Sequence, residues 1–310
     1  MKGVWILVAG GLLLAGCESQ PGHPNAPLFT PPATGTARPW TDESFDNADE
    51  KFTFAVHSDL TGGERDRIYS VAIAQLNLLR PEFIINVGDL IEGSNDVAEL
   101  DRQWDSFDER ADGASAPVFY VGGNHDRTGQ VMQDVWERRL GPGYYHFRYK
   151  DALFLVLDTE DNTPERMQEI HEMREYALQF ARNDEWEKFR ETPYANMPEN
   201  QGGSIGEAQS QYMIDAINAN ADVRHTFLFM HKAPWLRDDL TTFTAIEDAL
   251  ADRPYTLFHG HVHAYQYQQR NGNDYIRLAT TGGAQLPANG RSMDHVTLVT
   301  VDNDGVDIAN

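Results

Sequence analysis

Five apolar segments of this chain end in residues of the kinds that bind metal ions, and that pattern limits the folds open to it more than any other feature. Lys51-Phe-Thr-Phe-Ala-Val-His-Ser58 runs into Asp59, Glu82-Phe-Ile-Ile-Asn-Val87 into Gly88-Asp89, and Pro117-Val-Phe-Tyr-Val121 into Gly122-Gly-Asn-His-Asp126. Thr226-Phe-Leu-Phe-Met230 ends at His231, and Tyr255-Thr-Leu-Phe258 ends near Gly260-His-Val-His263. Short apolar runs rich in β-branched and aromatic residues read as strands. In an open α/β sheet the C-terminal ends of the strands face one crevice. Carboxylates, an amide and imidazoles gathered there suit a metal ion. Gly88, Gly122, Gly123 and Gly260 stand just before the ligand-type residues, where the backbone must turn tightly or approach closely.

The rest of the pattern is consistent with that crevice. Ile68, Val71, Ile73, Leu76 and Leu79 have helical spacing in 64–79, and Pro81 stops the helix; a second helix is expected over 98–111. Tyr144–Tyr149 and Ala152–Leu157 read as a hairpin, and 275–279 and 296–301 as late strands. Strands alternate with helices early and dominate late, which predicts an α/β fold with two mixed sheets packed as a sandwich and flanked by helices. The charged helical stretch Pro164 to Arg190 and the Pro/Asn/Gly-rich loop after it read as an insertion at about 160–203, either a solvated surface helix or a cap over the site. Ser204-Ile-Gly-Glu207 has the pattern of a capping box opening a helix through Ile217.

Singly, these motifs differ in weight. A strand-ending Asp such as Asp59 is often only a helix cap, and one His before Lys232-Ala-Pro234 is usually a core residue. Gly-Asn-His-Asp is more specific, and Gly-His-Val-His more so, because His261 and His263 at i and i+2 leave an extended backbone on one face. In this order the motifs resemble the calcineurin-like metallophosphoesterase superfamily, over nearly all of the chain from Phe52 to the late strands. The resemblance implies a metal-dependent phosphoric ester hydrolase with two divalent ions (Mn, Fe, Zn or Mg). By that likeness Asp89 bridges both ions, Asp59 and His263 hold the first, and Asn124, His231 and His261 hold the second. His125 is then the proton donor, with Asp126 orienting it. Two such ions would clamp the phosphate oxygens and lower the pKa of a shared water, whose hydroxide attacks phosphorus in line. His125 has a pKa suited to protonating the leaving alkoxide.

One position departs from the family pattern. Where relatives have Asp-x-His, this chain has Asp59-Leu-Thr61. Three readings follow: Thr61 or water completes a more oxygen-rich site suited to Mn²⁺ or Mg²⁺; His57 substitutes from two residues upstream; or the first site is weak and the protein mononuclear or non-catalytic. Glu92, close after Asp89, is a further possible oxygen donor or an exposed surface carboxylate, and His259 is expected in the core. The alternative to an enzyme is a homologue that keeps a metal shell but binds a phosphate ligand or acts as a scaffold; a retained His125 argues for turnover. Arg65, Arg127 or the insertion are candidate substrate contacts, and no residue names the substrate.

The N-terminus suggests where the protein works. Lys2, the apolar run Val4–Ala15 and then Gly16-Cys17 describe a secretory signal peptide, too short for the roughly 20 residues that span a bilayer. Leu14-Ala-Gly-Cys17 resembles a bacterial lipobox, in which Cys17, the single cysteine, carries the lipid. The expected organisation is a signal over 1–16, a lipidated Pro-rich tether over 17–50 and a catalytic domain over 51–310. The expected location is the cell envelope, lipid-anchored to a membrane and, with Glu18 after the cysteine, to the outer one if the host has one. A net charge of −23, from 25 Lys+Arg against 48 Asp+Glu, discourages nucleic acid. Two metal ions inside such an acidic shell would still admit a small phosphate ester.

Overall fold

The computed structural model describes residues 28–32, 34–45 and 51–310. The signal segment, Cys17 and the stretch before residue 28 lie outside the described residues. The strands are β1 (Phe29–Thr30), β2 (Phe52–His57), β3 (Phe83–Asn86), β4 (Val118–Phe119), β5 (Tyr145–Tyr149), β6 (Ala152–Val156), β7 (His225–Phe229), β8 (Tyr255–His259), β9 (Gln266–Arg270), β10 (Asn273–Arg277), β11 (Thr297–Asp302) and β12 (Gly305–Ala309). They form two mixed sheets, ordered β1-β5-β6-β7-β8-β10-β9 and β12-β11-β2-β3-β4.

The sheets face each other because their strands alternate large aromatics toward a shared interior. Phe54 stacks on Phe83 at 5.2 Å and meets Phe227 edge-on at 4.9 Å. Phe147 stacks on Phe154 at 4.7 Å. The opposite faces are covered by helices: Ile68–Leu79 and Val97–Ala111 bury Tyr69, Leu76, Trp104 and Phe107 against the smaller sheet, and Glu207–Ala219 and Thr241–Ala249 bury Met213, Ile217, Phe243 and Ile246 against the larger one. These layers are the expected α/β sandwich. Parallel pairing positions the site. β2 and β3 are in register with His57 opposite Asn86, and β7 and β8 with Phe229 opposite Phe258. The residues that follow each strand therefore emerge side by side at one end of the sandwich.

The boundary expected at residue 51 is corrected by the structure. Phe29 and Thr30 add an antiparallel edge to β5. Trp40 is buried in the inter-sheet core, stacked on Phe119 at 6.1 Å. Pro39 and Thr41 hydrogen-bond along the backbone of β4 and Tyr120, the strand that leads into Gly122-Gly-Asn-His. The described residues of this arm, 28–32 and 34–45, are packed against the domain, because one Trp and two Phe residues in a proline-rich stretch supply enough apolar surface to dock them. Trp40→Ala should cost about 3–5 kcal/mol of stability, as truncation of a large buried aromatic does. An unchanged urea midpoint would show that the arm contributes nothing.

The insertion is helical, as expected, but divided: Pro164–Arg182, Trp186–Arg190, Pro193–Asn196 and Pro198–Gly202. Thr163 and Thr192 cap two of these helices ahead of a proline at the first turn. Ile170, Ala177, Tyr194 and Met197 form a small core of their own. The capping box expected at Ser204 is not formed. Gly206 caps the Glu207–Ala219 helix instead, its N–H held by Asp161 at 2.9 Å, while the Ser204 N–H pairs with the Thr159 carbonyl at 2.8 Å.

Candidate active site

The polar strand ends meet across the seam between the two sheets. The smaller sheet supplies Asp59, Asp89 and Asn124; the larger supplies His231, His261 and His263. Ligand atoms of Asp59, Asp89 and His263 all lie within 4.8 Å of one another, as do those of Asp89, His231 and His261. Asp89 belongs to both groups. Asn124 joins the second, its Oδ1 at 3.1 Å from His231 Nε2.

The backbone is bent to achieve this. Asp59, Asp89, His261 and His263 have φ of 48°, 58°, 73° and 56°. A left-handed conformation in a residue with a Cβ costs of order 1 kcal/mol or more and is typically kept where function requires it. Gly88, at φ 99°, lies so close to Gly123 and His231 that an added Cβ would sit 2.8 Å from both. The two ligand loops can touch only because neither glycine carries a side chain.

Each imidazole is fixed by a carbonyl. His231 Nδ1–H donates to Val87 O at 2.8 Å, His263 Nδ1–H to Ala284 O at 2.6 Å, and His261 Nε2–H to Asn200 O at 2.7 Å. That leaves Nε2 of His231 facing Asp89 at 3.2 Å, Nε2 of His263 facing Asp59 at 3.3 Å, and Nδ1 of His261 as its open nitrogen. Partners of this kind orient metal-binding imidazoles. Donor atoms roughly 3–3.5 Å apart are what one ion with bonds of about 2.0–2.2 Å would hold.

The electrostatics also call for cations. Burial opposes charge on the His231 ring, but Asp89 outweighs it and holds the pKa up at about 9. Asp59 does the same for His263, also to about 9. Burial pushes Asp89 up, yet His231 and His125 hold it well below the usual carboxylate range. Burial, with the charge of His231, keeps His261 well below the usual imidazole range, neutral and available as a ligand. Buried carboxylates that draw protons onto neighbouring imidazoles would accept divalent ions in their place. The donor set therefore fits the metals that the resemblance implies.

The calcineurin-like phosphoesterase family model matches residues 52–275. The chain belongs to the calcineurin-like phosphoesterase family. As such it is a metal-dependent phosphoric ester hydrolase. Its fold is similar to that of a dimetal phosphatase from Danio rerio, with 16% identity, 84% of this chain and 96% of that chain covered, and a TM-score of 0.57. It is also similar to a purple acid phosphatase from yellow lupin (Lupinus luteus) seeds, at 11% identity over 82% of this chain and 50% of that chain, TM-score 0.54. A third similar fold is GAP50, the anchor in the inner membrane complex of Plasmodium, at 15% identity over 84% of each chain, TM-score 0.52. No curated protein matches the chain.

In this phosphoesterase His125 lies beside the metal-ligand cluster. Its backbone N–H donates to Asp89 Oδ1 at 2.9 Å, and its Nδ1–H to the Glu92 carbonyl at 2.9 Å. Its Nε2 and the His263 ring flank Gly62. The expected role of Asp126 is corrected: its carboxylate does not orient His125. It accepts the backbone N–H groups of Asp89, Leu90, Ile91 and Gly123 at 2.8–3.1 Å and so holds the Asp89 loop against the Gly123 loop. Glu92 takes over the orienting role through its carbonyl. Its side chain accepts the N–H groups of Gly62, Gly63 and Glu64 and is neither an idle surface group nor in either ligand cluster.

Neither side chain considered for the missing imidazole's place is turned to the site, which leaves water to complete the first metal position or leaves that position weak. The Thr61 hydroxyl donates to the carbonyls of Ile91 at 2.8 Å and Asp89 at 3.1 Å, so it closes the loop. His57 points into the helix-covered layer, 5.2 Å from Tyr69, and burial lowers its pKa to about 3. The strand alternation that would bring His57 to Asp59's face ends where Asp59 turns left-handed. Thr61→Val should cost about 1–3 kcal/mol by orphaning the Ile91 carbonyl, and Thr61→Ser should restore most of it; equal stability of all three chains would show that the loop does not need the hydroxyl. His259 is buried against Trp235 at 4.9 Å. Arg65 pairs with Asp294 and Gly283, and Arg127 with Asp158 at 3.0 Å. The sequence reading missed Asn200, Ala284 and Val87, which act through carbonyl oxygens that no side chain announces.

Proposed function

We propose that the protein hydrolyses a small phosphate mono- or diester at a dinuclear metal centre. The observation that carries this is Asp89, shared by two ligand groups, with Asp59 and His263 on one side and Asn124, His231 and His261 on the other. When bound, the two ions supply positive charge to the phosphoryl oxygens and lower the pKa of the attacking water. The chain's own residues supply the rest. Asp89 binds the His125 backbone, and the Glu92 carbonyl takes the His125 Nδ1 proton into a fixed hydrogen bond. Nε2 is then the nitrogen from which a proton can pass to the leaving oxygen. Pure phosphate binding would have no use for such a group, which favours an enzyme over a scaffold.

The test is turnover of mono-aryl and bis-aryl phosphates by the full chain with added Mn²⁺. Hydrolysis of either supports the reading, and the ratio separates monoesterase from diesterase. No turnover with metal bound would favour the scaffold.

We also propose, separately from the metal site, that the protein works in the cell envelope, held through a lipid on Cys17. What supports it is Leu14-Ala-Gly-Cys17 behind the apolar run. Among the described residues no helix is long and apolar enough to cross a membrane. Several acyl chains, at about 0.8 kcal/mol per buried CH₂, would hold the protein durably. Cys17→Ser should release it from the membrane fraction; a wild-type chain already free of membranes would refute the anchor.

A further inference from the structure

The insertion reaches the site. Asn200, in its last helix, accepts the Nε2 proton of His261 at 2.7 Å. Its beginning is tied in as well: Glu160 pairs with buried Lys232, next to His231, at 2.5 Å and accepts from Thr128 at 3.0 Å. The segment carrying Asn200 is pinned by Glu199 to Arg166, with Nε and Nη2 both at 2.8 Å from one carboxylate oxygen. Beyond it, Arg237 donates to the Gly203 carbonyl at 2.7 Å and to Ser204 Oγ at 3.1 Å.

We infer that the insertion is a wall of the second metal position, with the Asn200 carbonyl setting the tautomer and angle of His261, and that metal binding and ordering of residues 193–203 are coupled through this hydrogen bond. The inference rests on the dinuclear reading. Its physical basis is that a carbonyl accepting the distal N–H of a ligating imidazole fixes the ring and raises its basicity, and loss of such a partner typically weakens metal binding by about 10–100-fold. Coupling of this kind is reciprocal, so the ion must also steady the carbonyl's segment. Arg166 acts as a positioning residue, two steps removed from the metal.

Two measurements on the full chain test this. Calorimetric titration with Mn²⁺ should show two ions on wild type and, in Arg166→Ala, one of the two affinities weakened about tenfold with the other unchanged. Hydrogen exchange should show the amides of 193–203 slowing when Mn²⁺ is added to wild type and not when it is added to His261→Ala. Unchanged affinities in Arg166→Ala, with exchange over 193–203 indifferent to metal in wild type, would overturn the coupling while leaving two metals in place. A wild-type chain that takes up a single ion would overturn the dinuclear reading while the exchange over 193–203 still decides the coupling, and one that takes up no ion would overturn both.

Discussion

Asp89→Asn should empty both metal positions and lower turnover by about 10³-fold or more. Asp89 is the carboxylate common to both ligand groups, and no other residue among those described is placed to replace it. Lewis-acid stabilisation by bound ions is worth several kcal/mol, and each 1.36 kcal/mol is a factor of ten in rate. The substitution keeps the side-chain shape and an oxygen to accept the His125 N–H, so the fold should survive, which circular dichroism checks. Retention of two ions and near-normal rates would mean that Asp89 is only a loop residue.

His125→Ala should do something different. It should keep both metals, because His125 is outside both ligand groups. The rate should fall by about 10²–10⁴ for esters with poor leaving groups, the usual worth of a positioned acid. Aryl esters need less protonation of the leaving oxygen and should suffer less. A loss of equal size across leaving groups of different pKa would point to positioning rather than proton transfer. Loss of metal would show that the ring, and not only the His125 backbone N–H on Asp89, supports the centre.

The gathering of the candidate ligands could be read in the sequence because each of them follows an apolar run, and a strand's end is where hydrophobic patterning stops abruptly. The two-sheet sandwich followed from the same runs. What escaped was of three kinds. The first was backbone chemistry: Val87, Ala284 and Asn200 hold the imidazoles through carbonyls, and any residue type has one. The second was conformation. His57 and Asp59 share a face only in a continuous strand, and the left-handed turn at Asp59 removes that premise. The third was weak patterning at the edges. β9 is Gln-Tyr-Gln-Gln-Arg, β12 is five residues at a sheet edge, and Trp40 sits among prolines that argue for an extended tether. Asp126 was placed in the right cluster and given the wrong task, because sequence adjacency to His125 says nothing about where its carboxylate points.

The first metal position has one imidazole fewer than the second, since Thr61 is turned to the loop and His57 to the core. The second should therefore fill first. The most direct test of the account is a titration of metal-free protein with Mn²⁺, following both bound ions and hydrolysis of an aryl phosphate. The account predicts little turnover at one equivalent and a plateau at two. Full activity at one equivalent, or without metal, would contradict it.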